Sequence, residues 1–405
     1  METVDIFIKN ASELITMDGP NRPRIKKEMC ELSIIKNGSV AIKDGKIVET
    51  GNDLEYDAEK TIDASGKTVM PGFIDSHTHL VFAGSREFEL DMKLKGISYM
   101  EILKKGGGIF YTVNETRKAT NEGLLKQSKK RLDTMISHGT TTCEAKSGYG
   151  LNTETELKIL KIQKKLNDIH SMDIVSTFLG AHAIPKEYST DDYVDMIINE
   201  TLPQVNDLAM FCDVFCEKGV FTIEQSRRIL KAGKKYGLIP KIHADEIVDT
   251  GGASLAAEVG AISADHLLMS SDKGINEMAQ RGVIGVMLPG TPFSLMQDSY
   301  APARKMIDLG VPIALATDLN PNCWVENMQF MIQLGCFNMK MTPAEAVTAA
   351  TFNSACAIGV NDIVGSLEEG KKADVIILNC PNHKSIPYHF GVNLAETVIK
   401  NGRII

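Results

Sequence analysis

Two histidines separated by a single residue, His77 and His79 in PGFIDSHTHL, are the first residues in this chain whose type and spacing suit chemistry. On a β-strand, residues two apart point to the same side, so both imidazoles can face one interior. That is metal-ligand spacing. A pair of hydrogen-bonded core histidines would have the same spacing, so the pair alone decides nothing. Three further residues decide it: His243 in KIHADE, His266 in SADHL and Asp318 in ALATD each end a short apolar run. Four histidines, of nine in the chain, and one aspartate at four run ends point to a metal site. Three imidazoles and a carboxylate suit Zn²⁺ and also accept Fe²⁺ or Mn²⁺.

The elements that must position these residues are legible as alternation. Eight apolar runs (VMPGFID, TTTCEAK, IVSTFLG, MFCDVFC, LIPKIHA, AISADHL, VIGVMLP and PIALATD) are bounded by Gly, Pro, Asp and His, as strands buried on both faces would be. Amphipathic stretches such as TETELKILKIQKKLND, TIEQSRRILKAGKKYG and DKGINEMAQRG separate them. Strand and helix in alternation imply a parallel sheet, and eight strands a closed α/β barrel, with functional residues at the carboxyl ends of the strands. Both chain ends read as β, with Asp44-Gly45 and Asn401-Gly402 as hairpin turns. Neither end has enough strands to bury a face alone. The expected layout is therefore a small β-sandwich from 1–70 plus 360–405, beside a (β/α)8 barrel over 71–359. Gly106-Gly107-Gly108 lacks a phosphate-binding context and reads as a mobile loop.

Composition narrows the partners. A net charge of -8 offers no field for a phosphate backbone, so no nucleic acid is expected. The start, METVDIFIKN, has no basic then apolar signal, and no apolar stretch reaches the roughly 18–20 residues of a membrane span. The expectation is a cytoplasmic protein with no membrane partner, and a homodimer as the default assembly. Eight scattered cysteines without paired Cys-x-x-Cys motifs read as reduced residues, most of them in the core.

PGFIDSHTHL with the later His, His and Asp resembles the amidohydrolase superfamily, whose barrel and flanking sandwich match this layout over nearly the whole chain. Many two-metal members carry a bridging lysine at the end of strand four. Here that run reads FCDVFCEKG, with Cys216 and Glu217 near its end, so the resemblance implies a single metal ion. Lys146 ends strand two instead and reads as a structural or substrate-side lysine. HTHLVFAGSRE, GISYMEI, AKSGYGL, FLGAHAIP, HADE and TDLNP narrow the resemblance to the imidazolonepropionase family, the ring-opening hydrolases of histidine degradation.

That resemblance implies one divalent ion per chain, Zn²⁺ or Fe²⁺/Fe³⁺, on His77, His79, His243 and Asp318. It also implies a small substrate carrying a carboxylate, held by Arg86, Tyr99, Tyr149 and His182, with Glu246, Asn320, Asn322 and Cys323 beside it. Arg86 is the first candidate for the carboxylate, because guanidinium and carboxylate pair in a two-point fork, with His182 assisting. After Asn320-Pro321 many relatives have a small pair where this chain has Asn322-Cys323-Trp324, and backbone amides there are candidate carboxylate donors.

The chemistry expected is attack of water on the ring carbonyl of 4-imidazolone-5-propanoate, giving N-formimidoyl-L-glutamate. Asp318 would take the water proton, His266 would stabilise the oxyanion, and Glu246 would carry a proton to the departing ring nitrogen. Three other readings compete. A deaminase of the same superfamily would need no cation for a carboxylate. A cyclic amidase usually depends on the bridging lysine absent here, and a non-catalytic assembly protein would typically have lost metal ligands.

Overall fold

A computed structural model describes residues 3–97 and 99–405 of the chain. Its centre is an eight-stranded, all-parallel sheet whose strands follow one another in sequence order. They are β1 (Phe73–Asp75), β2 (Thr140–Lys146), β3 (Asp173–Ala181), β4 (Phe211–Cys216), β5 (Ile239–Ala244), β6 (Ser263–His266), β7 (Ile284–Met287) and β8 (Ile313–Leu315). Seven of the eight apolar runs contain their strand, and the third, IVSTFLG, lies within β3. The sheet closes into a barrel just past β1 and β8, where Thr78 bridges Leu319 in parallel. The Asp318 amide also donates to the His77 carbonyl at 3.0 Å and the His79 amide to Leu319 at 2.8 Å. Closure and chemistry therefore share the same backbone.

The intervening helices bury one face against this sheet. Ile223–Lys235 begins with a reciprocal cap between Thr222 and Gln225 and buries Ile229 and Leu230. Thr153–Ile169 is capped by Asn152 and buries Ile159, Leu160 and Leu166.

Both chain ends form β structure, as their hairpin signals predict. A four-stranded sheet of Lys46–Gly51, Gly38–Lys43, Thr3–Ala11 and Asp57–Asp63 faces a six-stranded one. The second sheet is mixed from both ends of the chain: Val375–Leu378 runs antiparallel to Thr68–Pro71, in register Ile376 to Met70. Ile6, Ile8, Val40 and Ile42 of the first sheet share one core with Val69, Val375, Ile377 and Ile399 of the second. Thr68–Pro71 runs through Gly72 straight into β1. A Cβ at Gly72 would lie 2.3 Å from the Thr141 side chain on β2, so only glycine lets the two strands approach here. Among the described residues no helix is long and apolar enough to cross a membrane.

Candidate active site

His77, His79, His243, His266 and Asp318 gather at the carboxyl end of the barrel, each 4% exposed or less. The Nε2 atoms of His77 and His79 both lie 3.5 Å from Oδ1 of Asp318. Donor atoms of His77, His79 and His243 fall within 4.8 Å of one another, the spacing one ion needs. His77 Nε2 and His243 Nε2 are buried without a hydrogen-bond partner. Left bare, each such atom costs about 1–3 kcal/mol, a cost that a bound ligand would remove. Burial, with the charge of Lys146 and neighbouring imidazoles, holds His77 and His243 well below the ordinary imidazole value, so their lone pairs are free to coordinate. Neutral imidazoles and one carboxylate fit a divalent ion.

Two carboxylates stand behind the histidines, and one of them orients its imidazole by a hydrogen bond. His77 Nδ1 donates to Asp265 Oδ2 at 2.7 Å, which directs Nε2 toward Asp318. His243 Nδ1 stands 3.1 Å from Asp213 Oδ2 on β4, close enough but off the hydrogen-bonding angle. Neither aspartate was singled out from the sequence. Both hide in apolar runs, FCDVFC and SADH, where alternation alone would have placed them inside the barrel.

Asp318 and His266 both adopt left-handed backbone, with φ of +53° and +74°. Such conformations are uncommon outside glycine and collect at functional sites. Thr291 donates to Asp318 Oδ2 at 2.6 Å, which leaves Oδ1 for the ion. Burial pushes Asp318 up to about 7 without an ion beside it. His266 stands edge-on to His77, and its Nδ1 is 3.7 Å from Glu246 Oε1. Burial, then the charges of Asp318 and Glu217, pushes Glu246 up to about 8. Its loop is fixed by Glu217, whose Oε2 accepts from the Ile247 amide at 2.9 Å.

The predicted substrate contacts divide. His182 stacks on His79 with ring centroids 4.9 Å apart, and its Nδ1 donates to the Gly148 carbonyl at 3.0 Å. Burial lowers it to about 4. His182 is thus neutral with a bare Nε2, suited to accept an N–H rather than to assist a carboxylate as a cation. Tyr149 packs against His79 and His182. Its turn is held by Glu156, which accepts from the amides of Gly148, Gly150 and Leu151. Tyr99 opens a short helix, Tyr99–Lys104, and its side chain lies outside the described residues.

Arg86 is buried, and its Nε and Nη2 form a two-point fork with Glu89 at 2.7 and 2.8 Å. Glu89 also accepts from the Gly108 amide, so the triple-glycine segment read as a mobile loop has a fixed anchor. The fork makes Arg86 and Glu89 neutral as a pair. Surplus positive charge comes from Lys93, missed in the sequence, whose ammonium donates to Asn322 Oδ1. The spacing that would have flagged it is simple: Lys93 lies one turn past Glu89 on Phe88–Leu94.

The loop after Asp318 is wired internally. Asn320 donates to the Asp318 carbonyl at 2.7 Å and accepts from the amides of Asn322 and Cys323 at 2.7 and 3.0 Å. Those two amides were candidates for the substrate carboxylate, but each has a single hydrogen and gives it to Asn320. Cys323 is buried against Thr317, and burial pushes its thiol up to about 12, so it is a packing residue here.

The amidohydrolase family model matches residues 68–405. An imidazolonepropionase of Geobacillus kaustophilus is 56% identical, covering 99% of this chain and 97% of that protein. One of Alkaliphilus metalliredigens is 55% identical, with 99% and 98% covered. Among solved structures, a zinc-bound adenosine deaminase of Xanthomonas campestris matches with a TM-score of 0.74 at 18% identity, covering 100% of this chain and 93% of that one. A Xaa-Pro dipeptidase with bound methionine matches at 0.72 and 18%, covering 99% of each. At such identity these two likenesses report the fold alone. Full-length identity with the first group, and a family match that takes in every strand of the barrel, place the chain plainly: it belongs to the amidohydrolase family and, within it, to the imidazolonepropionases.

Proposed function

We propose that this chain hydrolyses 4-imidazolone-5-propanoate to N-formimidoyl-L-glutamate, with one divalent ion, Zn²⁺ or Fe²⁺/Fe³⁺, on His77, His79, His243 and Asp318. The observation that carries the reading is a three-imidazole, one-carboxylate donor set converging at one end of the barrel, with the Lys93 ammonium on Asn322, four residues past Asp318. When bound, the ion supplies a Lewis acid that acidifies water and polarises a carbonyl.

The residues supply the rest. Asp318 takes the proton of the attacking water as its oxygen joins the ring carbonyl carbon. His266, a neutral imidazole held at about 4 mainly by burial, donates an N–H to the developing oxyanion. As the ring carbon–nitrogen bond breaks, Glu246 delivers a proton to that nitrogen. A carboxyl displaced upward by burial and two neighbouring negative charges is fitted to hold a proton near neutral pH. Lys93, beside the Arg86–Glu89 fork, receives the propanoate carboxylate. His182 Nε2 accepts a ring N–H. We divide the chain into 1–70 plus 360–405 and 71–359, so that the reaction is confined to the second part.

The test is ultraviolet absorbance of freshly generated imidazolone propanoate with purified protein before and after chelation, with cytosine and hydantoin in parallel. Chelator-sensitive loss of the imidazolone signal alone is expected. Turnover of cytosine only, or no loss with ion verified in the protein, would overturn the substrate.

A further inference from the structure

Beneath the histidines lies a sealed set of charges that no step above uses. Glu144 and Lys146 on β2, Asp213 on β4, Lys241 on β5 and Asp265 on β6 all point into the barrel and are 0% exposed. The Lys146 ammonium sits among three carboxylates: 2.8 Å from Asp213 Oδ2, 3.0 Å from Glu144 Oε1 and 3.3 Å from Asp265 Oδ2. Lys241 reaches only Glu144 of these three, at 3.1 Å.

We infer that the Lys146 ammonium is a built-in cation occupying what would otherwise be a second metal position, and that it is the residue that keeps this centre at one ion. The inference rests on the single-ion reading above.

Three observations support it. First, the carboxylates that hold Lys146 are those that face the histidines: Asp265 Oδ2 serves both Lys146 and His77, and Asp213 Oδ2 lies against both Lys146 and His243. A cation at Nζ is therefore directly behind the first ion position. Second, the surroundings already contain ligand sets for an ion. Donor atoms of Asp213, His243 and Asp265, and those of His77, Glu144 and Asp265, each lie within 4.8 Å of one another. Glu144 Oε2, fully buried, has no hydrogen-bond partner. Third, the charges balance. Three carboxylates against two ammonium groups leave one surplus negative charge, and a divalent ion in place of Lys146 would bring the set to neutrality. The Nζ–oxygen distances exceed the ~2.0–2.2 Å of zinc to carboxylate oxygen by under about 1.3 Å, within reach of side-chain adjustment once the lysine is gone.

The experiment counts ions. Wild type, Lys146→Met and Lys146→Arg are stripped with chelator, equilibrated with excess Zn²⁺ or Mn²⁺, desalted and assayed by elemental analysis, with thermal midpoints taken with and without ion. The expected ratios are one ion per chain for wild type and Lys146→Arg, which retains a cation, and two for Lys146→Met. The Lys146→Met midpoint should rise in a second, separate step as ion is added. One ion in Lys146→Met at saturation overturns the inference and leaves the single-ion reading intact; two in wild type overturns that reading, and none removes the metal altogether. If Lys146→Met is insoluble, expression in Mn²⁺ or Zn²⁺ must restore a soluble two-ion protein. Failure of that restoration also overturns the inference.

Discussion

Replacing Asp265 with asparagine isolates how much of the ion's affinity is built behind the ligands. In the structure Asp265 Oδ2 accepts from His77 Nδ1 at 2.7 Å, while Oδ1 accepts from Ser263 at 2.7 Å. Asparagine keeps the shape and one acceptor but removes the charge. A charge-assisted hydrogen bond contributes about 1.5–3 kcal/mol and a neutral one about 0.5–1.5, a difference of roughly 1–1.5 kcal/mol. At 1.4 kcal/mol per decade this is about a tenfold loss of ion affinity, the low end of the 10–100-fold range typical for such partners. Lys146 also loses one of its three counter-charges, which pushes the loss upward within that range. Competition against a fluorescent zinc chelator reads the dissociation constant directly. Thermal unfolding of the ion-free forms separates weakened coordination from weakened folding. Wild-type affinity in a folded Asp265→Asn protein would refute the argument that this carboxylate orients His77 for the ion.

Further outcomes follow from the same geometry. Lys93→Met should raise KM about tenfold, the worth of one charge-assisted contact, and change kcat by less than about threefold; steady-state kinetics with KM unchanged would remove Lys93 from the carboxylate site. Glu246→Gln should lower kcat by about 10²–10⁴ with ion content unchanged, and full turnover with the ion bound would end its proton-transfer role. Acid stability is read at Glu13, which joins the two ends of the chain. Burial raises its pKa, but hydrogen bonds from Lys36 and His383 outweigh this and hold it below the ordinary 4.5. A lowered folded value means the contribution is present above about pH 4.5 and is lost as pH falls below it. Glu13→Gln should therefore unfold in less urea at pH 7, by about 1–3 kcal/mol, with the gap closing toward pH 4. An equal gap at both pH values would contradict this sign.

The sequence by itself determined whatever depends on short-range periodicity. Eight doubly buried runs between amphipathic stretches specify a parallel barrel, because strands covered on both faces cannot alternate and helices covered on one must. The i, i+2 geometry of a strand places His77 and His79 together, and run ends place His243, His266 and Asp318 at the same rim. Asp44-Gly45 and Asn401-Gly402 specify their hairpins, since each turn needs left-handed backbone at both positions, which they show.

Only the tertiary structure decided which polar groups are already spoken for. Arg86 reads as a carboxylate anchor until Glu89 is seen across one of its edges; the Asn322 and Cys323 amides read as donors until Asn320 is seen to accept both. His182 reads as a helper for the carboxylate until burial is seen to make it neutral, with its Nδ1–H given to the Gly148 carbonyl. Asp265 lies 188 residues from His77 and Asp213 lies 67 from Lys146, so no local pattern could pair them. A residue's position along a strand is a local property. The charge state and availability of its polar atoms are set by whatever other strands bring within about 3 Å, in an interior where water no longer competes.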